Sequence, residues 1–525
     1  MERKRIQFLF LGAGLMILTL ILSSCMMSPV TYSVSGYVTY NGSGLAGVTI
    51  SFSDGLPSVT TNSQGYWSQS GLTGSVVVTP SMIGYTFNPP NITVTGANSN
   101  VNFIAVANTY SSSGWEHQGY NLDGTYCYPY QMTSSLSSLN VLWSENVNSG
   151  NLLTGILVNN QMDIVTAGSQ NVRVFNSNGV MLWSVDPVQD SGISNGYISA
   201  MDIGNINGTM VIGVAVSSGG DSEYNNEPTA VLVYSSNGVL IQTISTPAAW
   251  SITDLRFVDL YGNGSFQIVV AISSGYALSP RGIYVYDYNT GNLLWNFQTA
   301  GIPFVNAIGS LNGGNQKDIV VDTFSPYNGY TINGMNDWTT YVMLLDPSGN
   351  LLWTDTLQTG NQQSSSSAIV NVGNTSEIVT FLNVNIGGTM GIYVINPQNG
   401  NIENQYSEET NYNNNVFFKY SISPTGNIYV WNGNGVMQEF DMHLNLINSI
   451  NINGSLSSLV TGSILSSNNI NVLALTSSQL SVFDQNLNLL YSVPISNEGA
   501  LILTDMNNNG INNIVIGGQS LNLLY

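Results

Sequence analysis

The stretch Ile283 to Phe297, IYVYDYNTGNLLWNF, limits the fold more than any other because it recurs along the chain. Ile283, Val285 and Asp287 alternate with Tyr284, Tyr286 and Tyr288, the period of a strand with two different faces. Thr290-Gly291 predicts a tight two-residue turn, since Gly takes positive φ without a Cβ clash. Leu293, Leu294, Trp295 and Phe297 form the return strand. Copies start at Val172, Val231, Tyr341 and Gly391, with weaker ones at Ile428 and Leu480. Self-similarity at this spacing marks a repeat protein whose units bury one another's faces.

Each copy follows another hairpin, with starts at Ala200, Phe257, Ala307 and Leu503 among the clearest. Asn207-Gly208, Asn263-Gly264, Asn312-Gly313 and Asn509-Gly510 lie at their tips. Two hairpins make a four-stranded antiparallel sheet. The sheets start near Leu152, Tyr197, Ser251, Phe304, Ser366, Asn413, Ser457 and Glu498, a spacing suited to propeller blades. The chain therefore reads as all-β, with an eight-bladed β-propeller over 139–525; seven blades is the alternative, because the sixth and seventh copies are eroded.

The two ends of this region complement each other. The last hairpin is followed by SLNLLY and lacks an outer strand, whereas NVLWS from Asn140 is an outer strand without a sheet. Pairing them closes the ring and removes a free edge. Trp143, Trp183, Trp295 and Trp353 share one outer-strand position and are expected to bridge adjacent sheets.

Upstream, Arg3, Lys4 and Arg5 precede an apolar run ending Leu22-Ser23-Ser24-Cys25. This resembles a bacterial lipoprotein signal with its lipobox, which implies cleavage before Cys25 and lipidation of that residue. Residues 1–25 are read as the signal and 26–32 as a tether. No later run is apolar enough to span a bilayer, so the expected location is lipid-anchored and extracytoplasmic, at the outer membrane or cell surface.

Charge supports that reading. Only 7% of residues are charged, against about 25% in ordinary domains. Removing Arg3, Lys4, Arg5 and Glu2 from the 8 basic and 29 acidic residues leaves 5 and 28, a net charge of −23. Too few cations remain to meet phosphates, which argues against nucleic acid. We expect an acidic exterior: with its carboxylates neutral, such a chain carries little self-repulsion.

Residues 33–107 alternate apolar and polar residues in short runs separated by Gly, Asn and Pro, the pattern of a small β-sandwich. The order Asn62-Ser63-Gln64-Gly65-Tyr66, Val78-Thr79-Pro80 and Gly84-Tyr85-Thr86-Phe87 resembles carboxypeptidase regulatory-like (transthyretin-like) domains, which implies a spacer or binding module. Asn62 or Ser63 stands where that turn often carries Asp, so no metal is inferred there. Residues 108–138 read as an irregular lead-in packed across a propeller face. His117, Glu116 and Cys127 form a poor zinc pattern without further partners.

The outer hairpins, best at Asp287 to Trp295, resemble PQQ-like quinoprotein repeats; the inner ones, as at Asp259 to Val270, resemble FG-GAP/VCBS repeats. Such a ring could carry any of three chemistries. Asp505, Asn507, Asn509 and Asn513 stand at alternate positions around Gly510, a candidate calcium loop holding one carboxylate, with Asp202 and Asp259 in poorer versions. A bound quinone fits poorly, since the domain's cations, Arg173, Arg256, Arg281, Lys317 and Lys419, mark no shared pocket. Hydrolysis needs a central carboxylate pair, whereas Asp221, Glu223, Glu227, Asp337, Glu408 and Glu409 read as solvated loop acids. Tyr224, Tyr327, Tyr330 and Trp338, in long insertions, are the candidate ligand-binding residues. The expectation is a non-catalytic scaffold for a surface protein or glycan, attached to the membrane by lipid alone. The alternative is a quinoprotein-like or carbohydrate-active enzyme acting in the central channel.

Overall fold

The computed structural model describes residues 31–40, 42–82, 85–107, 117, 121–129, 138–147, 152–158, 161–218, 226–275, 277–312, 314–359, 363–372, 375–384, 388–410, 418–433, 435–465, 469–495, 499–507 and 511–525. The expected signal segment and Cys25 lie outside them. Among the described residues no helix is long and apolar enough to cross a membrane. The chain divides into two compact units, Met1–Thr109 and Tyr110–Tyr525.

The first unit holds two sheets. One orders Ser43–Gly44, Tyr32–Tyr40, Phe103–Ala107 and Tyr85–Asn88, with Tyr66–Leu72 also paired to Tyr32–Tyr40; the other orders Val59–Thr60, Thr49–Phe52, Val76–Ser81 and Ile92–Val94. Alternation along these strands sends Val34, Ile50, Trp67, Val78 and Phe103 into one core. At the turn where the resemblance expects Asp, Asn62 Oδ1 accepts from the N–H groups of Gln64 and Tyr66 at 3.0 and 2.9 Å. A carboxamide oxygen caps this turn without a charge.

In the second unit the described strands form eight four-stranded antiparallel sheets. Their first strands are Leu152–Val158, Tyr197–Ile206, Ser251–Val258, Ile302–Gly309, Gln363–Val372, Lys419–Ile422, Leu456–Gly462 and Ala500–Thr504. These first strands contact one another around an axis, and the fourth strands lie outermost. Both faces of each sheet are buried, each against a different neighbour. Tyr284 and Tyr286 pack with Val231 and Val233 of the second sheet, while Ile283 and Val285 pack with Val321 and Met343 of the fourth. One core also joins Leu501, Ile514 and Leu523 of the last sheet to Leu153, Ile164 and Phe175 of the first, so the ring is closed.

The closure is the strand exchange that the sequence implies. Val141–Asn146 pairs antiparallel with Ser520–Leu524, Val141 opposite Leu524 and Ser144 opposite Asn522. Asn140 N–H donates to Tyr525 O at 2.6 Å and Tyr525 N–H donates back at 3.1 Å.

The expected two-residue turn at Thr290-Gly291 is wrong in length. The strands end at Asp287 and resume at Leu293. Asp287 Oδ1 accepts from both the N–H and Oγ1 of Thr290 at 2.8 Å, and Gly291 N–H donates to Asp287 O at 2.9 Å. A side-chain acceptor at the first position favours this longer capped loop. Asp346, Asp441 and Asp484 cap the corresponding loops of other sheets, each one residue shorter, by accepting from N–H groups two and four residues on.

The repeated Trp residues bridge sheets as expected. Indole N–H groups of Trp143, Trp183, Trp295 and Trp353 donate to Ser177, Ser236, Pro347 and Pro397 O of the next sheet at 2.7 to 3.1 Å. Each ring lies over a glycine of that neighbouring turn; a Cβ on Gly238 (φ +79°) would sit 2.9 Å from the Trp183 ring. Gln242 takes the same place in the second sheet, bonded to Tyr288 O and Gly291 N. Trp183→Ala is expected to destabilise by about 2–3 kcal/mol, below the cost of a fully buried Trp because the ring is only half-buried. Gly238→Ala is expected to cost about 1–2 kcal/mol from its left-handed backbone alone. Chemical denaturation of both variants checks this; unchanged midpoints would contradict it.

Candidate functional site

Polar side chains on the first and second strands are tied across sheet boundaries. Asp202, in the second sheet, accepts from Phe257 N–H of the third at 2.8 Å and contacts His117 Nδ1 at 2.7 Å. Asp254, in the third, accepts from Val305 N–H of the fourth at 3.0 Å and pairs with Arg256 at 3.3 Å. Asp322, in the fourth, accepts from Ser367 Oγ of the fifth at 2.8 Å and from Asn306 Nδ2 at 3.0 Å. Ser421 and Thr461 hydroxyls lie 2.8 Å apart across the sixth and seventh. These groups pin successive sheets near the axis.

The lead-in segment completes the ring's interior. Leu122, Asp123, Thr125 and Tyr126 carbonyls accept, in order, from N–H groups of Ile308, Ile369, Ile422 and Thr461, one from each of four consecutive inner strands. Cys127–Tyr128 pairs parallel with Leu456–Gly462, and Tyr128 Oη accepts from Asp505 N–H at 3.2 Å. Inner-edge donors facing the channel thus find partners on a strap of the same chain. Gly124 is required at its centre: φ is +70°, and a Cβ would lie 2.4 Å from Asn306 O. Of the expected lead-in 108–138, the described residues 121–128 run along the inner strands.

Burial sets the protonation of these groups. Burial raises Asp123 to about 6 despite the opposing charge of Lys317, and raises Asp254 to about 6 despite Arg256. Burial alone raises Asp163 to about 6. The Cys127 thiol is pushed up to about 12 by burial, the opposite of what a nucleophile or metal ligand needs.

A second feature lies on one face of the ring. The loops between second and third strands of the second, third and fourth sheets are linked. Asn226 Nδ2 donates to Ser279 O at 2.6 Å. Arg281, fully buried, pairs with Asp337 at 3.3 Å and donates to Gly275 O, Ala277 O, Ala300 O and Asn328 Oδ1. Asp337 in turn accepts from Asn328 and Gly329 N–H groups at 3.1 Å. Asp337 is therefore no solvated loop acid, as its surroundings in sequence suggest, but a buried counter-ion. Glu408 likewise lies in strand Ile402–Thr410 rather than in a loop.

The clamp holds three of the candidate ligand-binding aromatics. Tyr330 sits under the Arg281 guanidinium, 5.5 Å from centroid to Cζ. Tyr327, 59% exposed, meets Trp338 edge-on with centroids 6.5 Å apart. Tyr224 lies outside the described residues, as do Asp221 and Glu223. Of the candidate calcium loop, Asn509 lies outside the described residues and Asn507 is exposed. Asn513 is buried and its Oδ1 accepts from Met506 N–H at 3.1 Å, a turn-capping role shared by Gln267 and Asn471. Asp259 caps its own hairpin through Asn263 and Gly264 N–H groups. Asp202, expected in such a loop, lies instead within its inner strand. No cluster of three or more His, Cys, Asp or Glu suited to a metal occurs among the described residues.

Comparison with solved structures places the fold. A quinohemoprotein alcohol dehydrogenase from Comamonas testosteroni superposes with a TM-score of 0.56 at 12% identity, covering 80% of this chain and 81% of its own. The quinohemoprotein alcohol dehydrogenase ADHIIG from Pseudomonas putida HK5 gives 0.54 at 13%, covering 78% and 80%. BamB from Moraxella catarrhalis gives 0.47 at 13%, covering 74% and 99%. The chain is a β-propeller protein of this general build. No family model and no curated protein matches the sequence.

The sequence alone does not single out Asp202, Asp254, Asp322 and Arg256 as a buried polar set joining neighbouring sheets. The available signal was a charged residue interrupting an apolar strand, as in AMDIG, TDLRF and VVDTF.

The raised carboxyls give a signed pH dependence. A group whose folded pKa lies above its unfolded one contributes stability at low pH and loses it as pH rises through the folded value. For Asp123, Asp163 and Asp254 that loss falls between about pH 4 and 6. Asp441 and Asp484 act oppositely: slight burial is outweighed by hydrogen bonds from Asn445 and Asn488, which lower them, so their contribution is lost only under stronger acid. The melting temperature is expected to peak near pH 4–5 and to fall by several degrees toward pH 7.5. A higher melting temperature at pH 7.5 than at pH 4.5 would contradict it.

Proposed function

We propose that this protein is a lipid-anchored, extracytoplasmic binding scaffold, a propeller that presents the clamped loop face to a protein or glycan partner. The observation that carries the reading is the division of labour among charged groups. The inner carboxylates Asp202, Asp254 and Asp322 are each committed to hydrogen bonds between sheets, where a hydrolase would keep a carboxylate pair free for substrate. On the loop face a buried ion pair instead fixes an aromatic pair, exposed Tyr327 against half-buried Trp338, suited to stacking on sugar rings or a protein surface.

A quinone cofactor fits these residues poorly. Arg256 spends its guanidinium on Leu255 O and Asp254, Arg281 is enclosed in the loop clamp, and the strap 121–128 runs along four inner strands. Calcium at the last hairpin has equally little support, since Asn513 already caps that turn.

Two experiments test the proposal. Tyr327→Ala with Trp338→Ala should weaken capture of an extracytoplasmic protein or glycan at least tenfold while leaving the melting temperature nearly unchanged. Cys25→Ser should abolish incorporation of labelled lipid and release the protein from the membrane fraction. Turnover of a polysaccharide, or a quinone chromophore in the purified protein, would overturn the scaffold reading.

A further inference from the structure

A cavity of about 530 Å³ opens at the ring axis, lined from the first, second, fifth, sixth, seventh and eighth sheets and by Tyr126 of the strap. That is within the usual size for a small-molecule site. Its walls are mostly uncharged: Leu153, Met201 and Leu459 give apolar surface, and the Tyr420 hydroxyl is satisfied by Ser366 at 3.1 Å.

Two lining groups stand out. Among the described residues, Lys419 is the only charged one lining the cavity. Ion pairs among the described residues join His117 to Asp202, Arg256 to Asp254 and Arg281 to Asp337, and none involves Lys419. Burial lowers its pKa, with no carboxylate acting to raise it. A methionine or leucine would fill this half-buried position without the desolvation cost of an unpaired charge. The second group is Thr154. It is buried, it lines the same cavity, and its hydroxyl has no hydrogen-bond partner among the described residues. A buried hydroxyl left unsatisfied is costly in the same sense.

We infer that this cavity is a binding site for a small organic monocarboxylate, with Lys419 Nζ as counter-ion. One ammonium matches one negative charge. A phosphate would call for more cations and donors, such as the arginine forks of phosphate sites. The apolar and aromatic remainder of the wall suits a hydrocarbon or aromatic body. The lining shares no residue with the loop clamp, and the site is independent of any role for it.

The test is calorimetric titration of the full-length protein with benzoate, 4-hydroxybenzoate and mandelate, with benzamide and inorganic phosphate as controls. The wild type is expected to bind at least one carboxylate. Lys419→Met should weaken that binding at least tenfold, while benzamide distinguishes wild type from Lys419→Met by less than twofold. Lys419→Met removes an uncompensated charge, so it should melt no lower than wild type, which separates loss of the site from loss of the fold. Equal carboxylate binding by wild type and Lys419→Met overturns the inference. So does absence of binding for all three carboxylates at millimolar concentration, or tighter binding of phosphate than of any of them.

Discussion

The pairing of Val141–Asn146 with Ser520–Leu524 is the constraint on which the propeller unit depends. Each sheet buries both faces, so a sheet at an open end would expose one. The sequence places the missing outer strand of the last sheet far upstream, and the chain must close a very long loop to recover it. The entropic cost of that closure grows only slowly with length, whereas the apolar surface sealed between the last and first sheets is large. Leu501, Ile514, Leu523, Ile164 and Phe175 share that seam.

A ring has an inner rim as well as an outer one. The outer rim is managed by indole and amide side chains reaching into the next turn. The inner rim is managed by polar residues and by the strap, whose carbonyls meet donors of successive inner strands. Carboxylates there serve as acceptors fixed in geometry, and burial biases them toward the neutral form. This fits a chain in which few residues are charged and Asn, Ser, Thr and Gly carry much of the polar surface.

The ring was legible because its signals are local and repeated. Period-two alternation, turn residues at fixed offsets and a recurring Trp each report a neighbour relation that every sheet shares. Even the distant closure could be read, since an unpaired half-sheet at each end leaves one way to match them. The candidate site was less legible. Asp337 and Arg281 are separated by a long loop and a whole hairpin pair, and nothing local shows that the loops fold onto each other to bury both. Lys419 sits beside Phe418 and Tyr420 in an eroded copy, where the repeat no longer shows which side chains face the axis. The length of the outer turn was misjudged for a related reason: Asp287 bonds back to Thr290, and that side-chain capping outweighs the preference of Thr-Gly for a tighter turn.

The most direct measurement of closure is a cross-link between the two ends. Ser144 and Asn522 lie directly opposite in the closing pair, where facing Cβ atoms are about 4.5–5.5 Å apart, near disulfide reach. In a chain with Cys25 and Cys127 replaced by serine, Ser144→Cys combined with Asn522→Cys should oxidise almost completely to a monomer with an intrachain disulfide. Free thiols, or covalent dimers joined between chains, would show that the ends do not meet and that the ring is not closed in this way.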